Sequence, residues 1–191
     1  MGNELINTAR KAVKYWWVSL IIGALAIILG IWSIAAPAST LFILSALFVA
    51  SFLVGGIGEI IFALANKEIL SGWGWTLASG IINIIFAFIL IAIPWSSILV
   101  LIFYIGFLIM FQSISGISSA VELQKMGSKD WGWLLALAIL GFILSFILIV
   151  NPAFASGFIV TLFSITLFCY GIFRIYLGFK LKTIKNEFEE V

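Results

Sequence analysis

Residues 75–94 read WTLASGIINIIFAFILIAIP, an apolar run that begins with a tryptophan and ends at a proline. The same pattern occurs at residues 17–37 and 133–152, and the three copies have nearly equal lengths. About 20 apolar residues cross the roughly 30 Å hydrocarbon core of a bilayer as a helix. Each run therefore predicts one transmembrane helix.

A second apolar run follows each proline, at residues 40–65, 96–120 and 154–179. Because Pro37, Pro94 and Pro152 are almost evenly spaced, the repeated unit is a pair of helices. Unpaired backbone groups in lipid cost several kcal/mol, which favours helices, and the alternating segments of a β-barrel are absent. We therefore predict an all-α integral membrane six-helix bundle, made of three parallel helical-hairpin repeats in a pseudo-threefold arrangement.

The repeats are expected within one transmembrane domain over residues 1–191. They cover residues 16–66, 73–120 and 131–179, and a charged cytoplasmic tail follows at residues 180–191. The first run is longer than the usual apolar region of a signal peptide and matches two later runs. We therefore expect it to be a membrane helix rather than a cleaved leader.

The composition agrees with a membrane protein. Hydrophobic residues make up 64% of the 191 and charged residues 9%, with a mean hydropathy of +1.28. Soluble domains carry about 25% charged residues. The single cysteine, Cys169, excludes an intramolecular disulfide, and the chain has no histidine, the commonest general base and metal ligand.

The basic residues predict the orientation. Nine of them fall on the side shared by the termini and the two longer loops: Arg10, Lys11, Lys14, Lys67, Lys125, Lys129, Lys180, Lys182 and Lys185. The turns around the three prolines contain none. By the positive-inside rule, both termini of this multi-pass protein are predicted to be cytoplasmic. Six tryptophans begin the odd-numbered helices on the same side, as an aromatic belt does.

The second helices carry a further echo: Gly56-Ile57-Gly58-Glu59, Gly116-Ile117-Ser118-Ser119 and Gly171-Ile172-Phe173-Arg174. With this echo, the Trp-to-Pro hairpins and a length near 190 residues, the chain resembles the HdeD family of small prokaryotic membrane proteins. The resemblance covers nearly the whole chain and rests on structural motifs. It implies a location in the prokaryotic inner membrane, a short repeated domain of unknown function and a role in acid resistance. It assigns no catalytic or binding residues.

The candidate polar site consists of ionisable residues inside the spans, which are costly in lipid and usually paired. Glu59 and Arg174 occupy equivalent places in the echo, with Ser119 at the third. We predict that Glu59 and Arg174 approach one another near Ser119. Three interpretations remain open: an ion pair that fixes helix register, two side chains that snorkel separately to water, and a proton-responsive or ion-conducting site.

Two carboxamides, Asn83 and Gln112, lie deep in apolar runs and are predicted to form interhelical hydrogen bonds. A translocation pathway is the alternative for these side chains.

No nucleotide-binding loop, metal-ligand cluster or catalytic triad can be recognised in the sequence, so no enzyme and no cofactor are expected. The expected surroundings are the lipid bilayer, with anionic headgroups at the lysines of residues 180–185, and no nucleic acid. Another membrane protein or further copies of this chain remain open as partners. The sequence favours a non-catalytic protein of envelope or acid-stress tolerance, and the alternative is a small transporter or channel for protons, ions or a small solute.

Overall fold

The structure, a computed structural model, describes residues 16–189, with side chains through residue 183. Within these residues there are six α-helices and no strands. The helices are α1 (Trp16–Ala35), α2 (Pro37–Ala65), α3 (Trp73–Ala92), α4 (Pro94–Lys125), α5 (Trp131–Val150) and α6 (Pro152–Glu189). The predicted all-α fold of six helices is confirmed.

All six helices are long and apolar enough to cross a membrane. Only 17% to 28% of the residues in these spans are buried inside the protein. Large apolar side chains such as Ile28, Val54 and Phe88 face outward instead. Because soluble proteins rarely expose extended apolar patches, this surface indicates a hydrocarbon environment. The chain is a polytopic membrane protein.

Each proline begins the second helix of its hairpin, and single residues, Ala36, Ile93 and Asn151, separate the paired helices. Proline suits the first helical position because the N–H that it lacks has no helical partner there. Its ring also forces the preceding residue toward an extended backbone. Ile93 and Asn151 accordingly have φ values of −131° and −126°. The second helices thus begin slightly earlier than the sequence predicted.

Side chains stabilise two of these turns. The Ser97 hydroxyl donates a hydrogen bond of 2.8 Å to the Leu90 carbonyl, which joins the start of α4 to the last turn of α3. At the next turn the Asn151 side-chain oxygen accepts a hydrogen bond of 3.0 Å from the backbone N–H of Phe154. Donors and acceptors that the chain reversal frees are thereby satisfied.

Two helices continue past the predicted ends of their spans. Helix α4 extends beyond residue 120 to Lys125, and α6 continues through the charged tail to Glu189. The hydropathy pattern indicates where lipid contact ends. A helix continues beyond that point into polar sequence because its backbone hydrogen bonds form within the helix itself. Gly127, with a φ of 75°, follows the end of α4 in a conformation that side chains disfavour. Arg10, Lys11, Lys14 and the Lys185 side chain lie outside the described residues.

The helices group into two compact units. Unit 1 is formed by Met1–Pro37 with Ile159–Val191, and its described part comprises α1 and the later part of α6. Unit 2 is Ala38–Phe158, which contains α3, α4 and α5, nearly all of α2 and the beginning of α6.

The core of unit 2 lies around Val49, Ala87 and Leu90, which are buried between α2 and α3. Phe52 meets Phe86 edge-on with their ring centroids 5.3 Å apart. Such aromatic contacts contribute about 0.5–1.5 kcal/mol beyond area burial. Helices α2 and α3 therefore pack against each other in the half of the spans that lies nearer the proline turns.

Candidate functional site

Two glycines bring the backbones of α2 and α3 into contact within unit 2. A methyl group added at Gly56 would lie 2.7 Å from the Gly80 carbonyl oxygen, and one added at Gly80 would lie 2.8 Å from the Gly56 carbonyl oxygen. Side-chain atoms do not fit at such distances. Small residues at an interface permit this close approach in membranes, where helix association depends on packing and interhelical hydrogen bonds.

A polar pair lies directly beside this crossing. The Asn83 side-chain N–H₂ donates a hydrogen bond of 3.0 Å to a Glu59 carboxylate oxygen, and both residues are half-buried. The Cβ atom of Glu59 packs against Gly80, and that of Asn83 packs against Gly56. The glycines thus provide the room that lets the carboxylate and the amide meet.

A carboxyl group and a carboxamide can form a hydrogen bond in either protonation state of the carboxyl group. An ionised carboxylate accepts the amide N–H, whereas a protonated carboxyl group can donate its O–H to the amide oxygen once the amide rotates. Either protonation state keeps one hydrogen bond between α2 and α3. Satisfying these groups matters because a polar atom left unpaired in hydrocarbon is costly.

Unit 1 contains an equivalent crossing between α1 and α6. A methyl group added at Gly23 would lie 2.8 Å from the Gly171 carbonyl oxygen, and the reverse distance is also 2.8 Å. Gly171 follows the proline of its repeat at the same interval as Gly56, and Gly23 precedes its proline at the same interval as Gly80. By this count, Arg174 has the position of Glu59, and Ala26 has the position of Asn83.

Arg174 is directed toward the interior of its span. Its guanidinium carbon lies 5.7 Å from the centre of the Tyr170 ring, one helical turn nearer the start of α6. The Arg174 Nε atom is buried and has no hydrogen-bond partner among the residues that the structure describes. The Arg174 side chain thus points toward the N-terminus of α6, as helical side chains generally do. Snorkelling toward the end of α6 would require the opposite direction.

The third crossing, between α4 and α5 in unit 2, has the glycines in exchanged places. A methyl group added at Gly116 would lie 3.1 Å from the Ala138 Cβ atom. One added at Gly141 would lie 2.6 Å from the Ser113 hydroxyl oxygen. Ser113 and Ala138 take the places that glycines occupy in the other two crossings, while Gly116 and Gly141 take the places of Glu59 and Asn83.

The three crossings define the register of the repeats. Counted from the prolines, the residue equivalent to Glu59 and Arg174 is Gly116, one helical turn before Ser119. Burial agrees with this count, because the equivalent residues Ala63, Ala120 and Gly178 are all buried. The Gly-Ile echo gives a different register for the second repeat, because it aligns Ser119 rather than Gly116 with Glu59 and Arg174. Helix α4 has 32 residues, whereas α2 has 29 residues.

The other sequence-predicted site residues lie as follows. Ser119 is exposed, and its hydroxyl donates a hydrogen bond of 3.0 Å to the Ser115 carbonyl of its own helix. Gln112 is exposed on α4, where it borders an open, mostly apolar hollow with Tyr104 and Phe111. Glu59 and Arg174 belong to different units, and their pairing stays a prediction.

Sequence reasoning missed the pairing of Glu59 with Asn83. A signal was present, because Gly56 and Gly80 lie at similar distances from the polar connection at residues 66–72. Folding α2 and α3 about that connection places these glycines opposite one another. Among the described residues, no group of three or more acidic or cysteine side chains could hold a metal ion.

A family model described as "Short repeat of unknown function (DUF308)" matches residues 21–92, 78–150 and 136–189. The chain belongs to the DUF308 family. The starts of the three DUF308 matches have the same spacing as the three prolines. The first two extend into the first helix of the next repeat. Each of the first two DUF308 matches therefore includes the crossing between one repeat and the next.

Neither the curated proteins nor the solved structures contain a match to this DUF308 chain.

Proposed function

We propose that this protein is a non-catalytic inner-membrane protein of acid or envelope stress tolerance. It acts through a closely packed helix bundle that keeps its contacts when protons become abundant. The observation that carries this proposal is the Glu59–Asn83 hydrogen bond beside the Gly56–Gly80 contact. A carboxyl–carboxamide pair keeps a bond in both protonation states, which suits a protein that must remain folded during acidification.

The buried hydroxyl groups support a packing role. Ser45 and Ser145 donate to the carbonyl oxygens of Phe42 and Phe142 at 2.8 Å and 2.7 Å, and Ser164 donates to that of Val160 at 2.9 Å. These hydroxyl groups donate their hydrogens to the backbone of their own helices, so the hydrogens are not available to bind a transported solute. The acid-stress role itself is what the resemblance to the HdeD family implies.

The proposed orientation places both termini in the cytoplasm. Lys67, Lys125 and Lys129 lie at or just beyond the ends of α2 and α4, on the side from which the next tryptophan-led helix enters. Lys182 lies over the Trp16 ring, with its ammonium nitrogen 5.1 Å from the ring centre. Cations and indoles together suit a membrane surface, and anionic headgroups are the proposed contacts of this end of α6.

Survival at low pH tests the proposal. A strain without the gene receives the wild-type protein, Glu59→Gln or Asn83→Leu, and survivors are counted after an acid challenge at equal protein level in the membrane. We expect Glu59→Gln, which keeps an amide–amide hydrogen bond, to protect as the wild type does, and Asn83→Leu to protect less. No difference between the strain without the gene and the wild type would overturn the acid-stress role.

A small transporter or channel for protons, ions or a small solute is the second candidate. It is favoured by one observation: Glu59 and Arg174 place charged groups at equivalent positions inside the spans. Proteoliposomes containing a pH-sensitive dye separate the candidates. Proton flux above that of empty vesicles, abolished by Glu59→Gln, would replace the first proposal with the second.

A further inference from the structure

A cavity of about 580 Å³ lies in unit 2 where the beginnings of three helices meet. Residues at equivalent places in the three repeats form its walls. The first and fourth residues after each proline contribute: Ala38, Trp95, Ala153, Leu41, Ile98 and Ser156. The first turns of helices α2, α4 and α6 therefore line the same cavity with equivalent residues.

A second cavity, of about 290 Å³, adjoins the first and shares Phe42 and Pro94 with it. It follows α2 from Phe42 to Leu53, against the end of α3 and the start of α4. A helical segment of that length rises about 16 Å. Through this shared wall, the two spaces extend from the proline turns toward the middle of the spans.

The walls of both cavities offer almost nothing to a polar molecule. Among the described residues, three hydroxyl groups and no charged side chain line the two cavities. Ser45, Ser97 and Ser156 donate their hydroxyl hydrogens to the carbonyl oxygens of Phe42, Leu90 and Ala153 at 2.8 Å each. An ordered water needs two to four polar partners, so an apolar occupant is favoured over water.

We propose that the joined cavities bind one acyl chain of a membrane lipid from the leaflet on the proline side. The elongated apolar space fits an extended hydrocarbon chain better than a compact solute. Its entrance is next to Trp95, which is 81% exposed and lies at the end of the span, where indoles meet lipid headgroups. Because the described residues that line the two cavities carry no charge, the site selects for the acyl chain and accepts both zwitterionic and anionic headgroups.

Photo-crosslinking in proteoliposomes tests this site. The probes are phosphatidylcholine and phosphatidylglycerol whose chains of about 16 carbon atoms, typical of membranes with a core of about 30 Å, carry a diazirine at the end. Labelled residues are identified by mass spectrometry. We expect both probes to label the segment from Ala46 to Leu53 on the cavity side.

Blocking variants and a matched control complete the test. Ala46→Phe adds bulk to the wall of the second cavity, and Ala38→Phe adds bulk to the wall of the first. Ala136→Phe adds the same bulk to an exposed position on α5, outside both cavities. Each blocking variant that keeps the wild-type elution volume should lose labelling about tenfold, equivalent to about 1.4 kcal/mol of binding free energy, whereas Ala136→Phe should keep it.

Three outcomes would overturn the lipid site. They are equal labelling in blocking and control variants, labels spread evenly over the outward faces of the helices, and crosslinks between two copies of the chain through this segment. If both blocking variants fail to fold, probes with chains of about half the length decide. Short chains that label residues 46–53 as strongly as long chains would contradict an acyl site of this length.

Discussion

Asn83 on α3 donates a hydrogen bond of 3.0 Å to Glu59 on α2, one helical turn from the point where Gly56 and Gly80 bring the two backbones together. The polar bond and the backbone contact depend on each other. Any side chain at either glycine would separate the helices, and the carboxylate and amide would then no longer meet.

Asn83→Leu should destabilise the protein because it leaves the Glu59 carboxylate without its amide donor. Polar groups that lose a partner cost about 1–3 kcal/mol, and charged groups more. The double variant Glu59→Leu/Asn83→Leu should recover stability, since it removes both polar groups. The measurement is unfolding by SDS titration in mixed micelles. A double variant as unstable as the sum of the two single variants would show that the bond contributes no coupling.

Gly56→Ala should destabilise the α2·α3 crossing, because the new methyl group would lie 2.7 Å from the Gly80 carbonyl oxygen. Overpacking of this kind costs about 1–3 kcal/mol. Gly58→Ala is the matched control on the same helix, where an added methyl group meets nothing within 4 Å. Equal stability of the two variants in the same titration would show that the backbones are not in contact at Gly56.

At the third crossing, Gly141→Ala should destabilise because the methyl group would lie 2.6 Å from the Ser113 hydroxyl oxygen. Adding Ser113→Gly should restore stability. The double variant then has the same residue types as the equivalent pair, Gly171 and Ala26, in unit 1. Ser113→Gly alone should leave a gap and lose stability. The free energy of unfolding of the three variants forms a double-mutant cycle, and an additive cycle would contradict the equivalence of the crossings.

Cysteine accessibility in whole cells tests the proposed orientation. In a Cys169→Ser background, single cysteines replace Ser39, Ser96 and Ala153 near the prolines, and Ser71 and Ser128 in the longer connections. We expect a membrane-impermeant maleimide to label the first three and to reach the last two only after permeabilisation. Labelling of the proline turns on different sides of the membrane would contradict parallel repeats, because each repeat spans the membrane twice.

The spans and their repetition could be predicted from the sequence because lipid imposes a minimum apolar length on every helix. The prolines marked the turns correctly, although Pro37, Pro94 and Pro152 begin helices rather than end them. The apolar pattern does not indicate whether a proline ends one helix or begins the next, because hydropathy is nearly the same on both sides of a turn of one residue. The ends of α4 and α6 were missed for a similar reason, because these helices continue where lipid contact ends.

The choice of partner for Glu59 could not be predicted from periodicity. Ser51, Gly55 and Glu59 share a helix face by spacing of four, but the contact face of α2 carries Gly56, Glu59 and Ala63. Both faces contain small residues, so composition alone favours neither. Only the register about the connection at residues 66–72 distinguishes them, and the Gly-Ile echo pointed to a different equivalence, in which Ser119 replaced Gly116.

The turns of a single residue at Ala36, Ile93 and Asn151 have a consequence for biogenesis. A chain reversal this short leaves no hydrophilic segment to be carried through the bilayer between the paired helices. We therefore expect the two helices of each repeat to enter the bilayer together, because a turn of one residue cannot hold one helix at its final depth while the other is still outside the membrane.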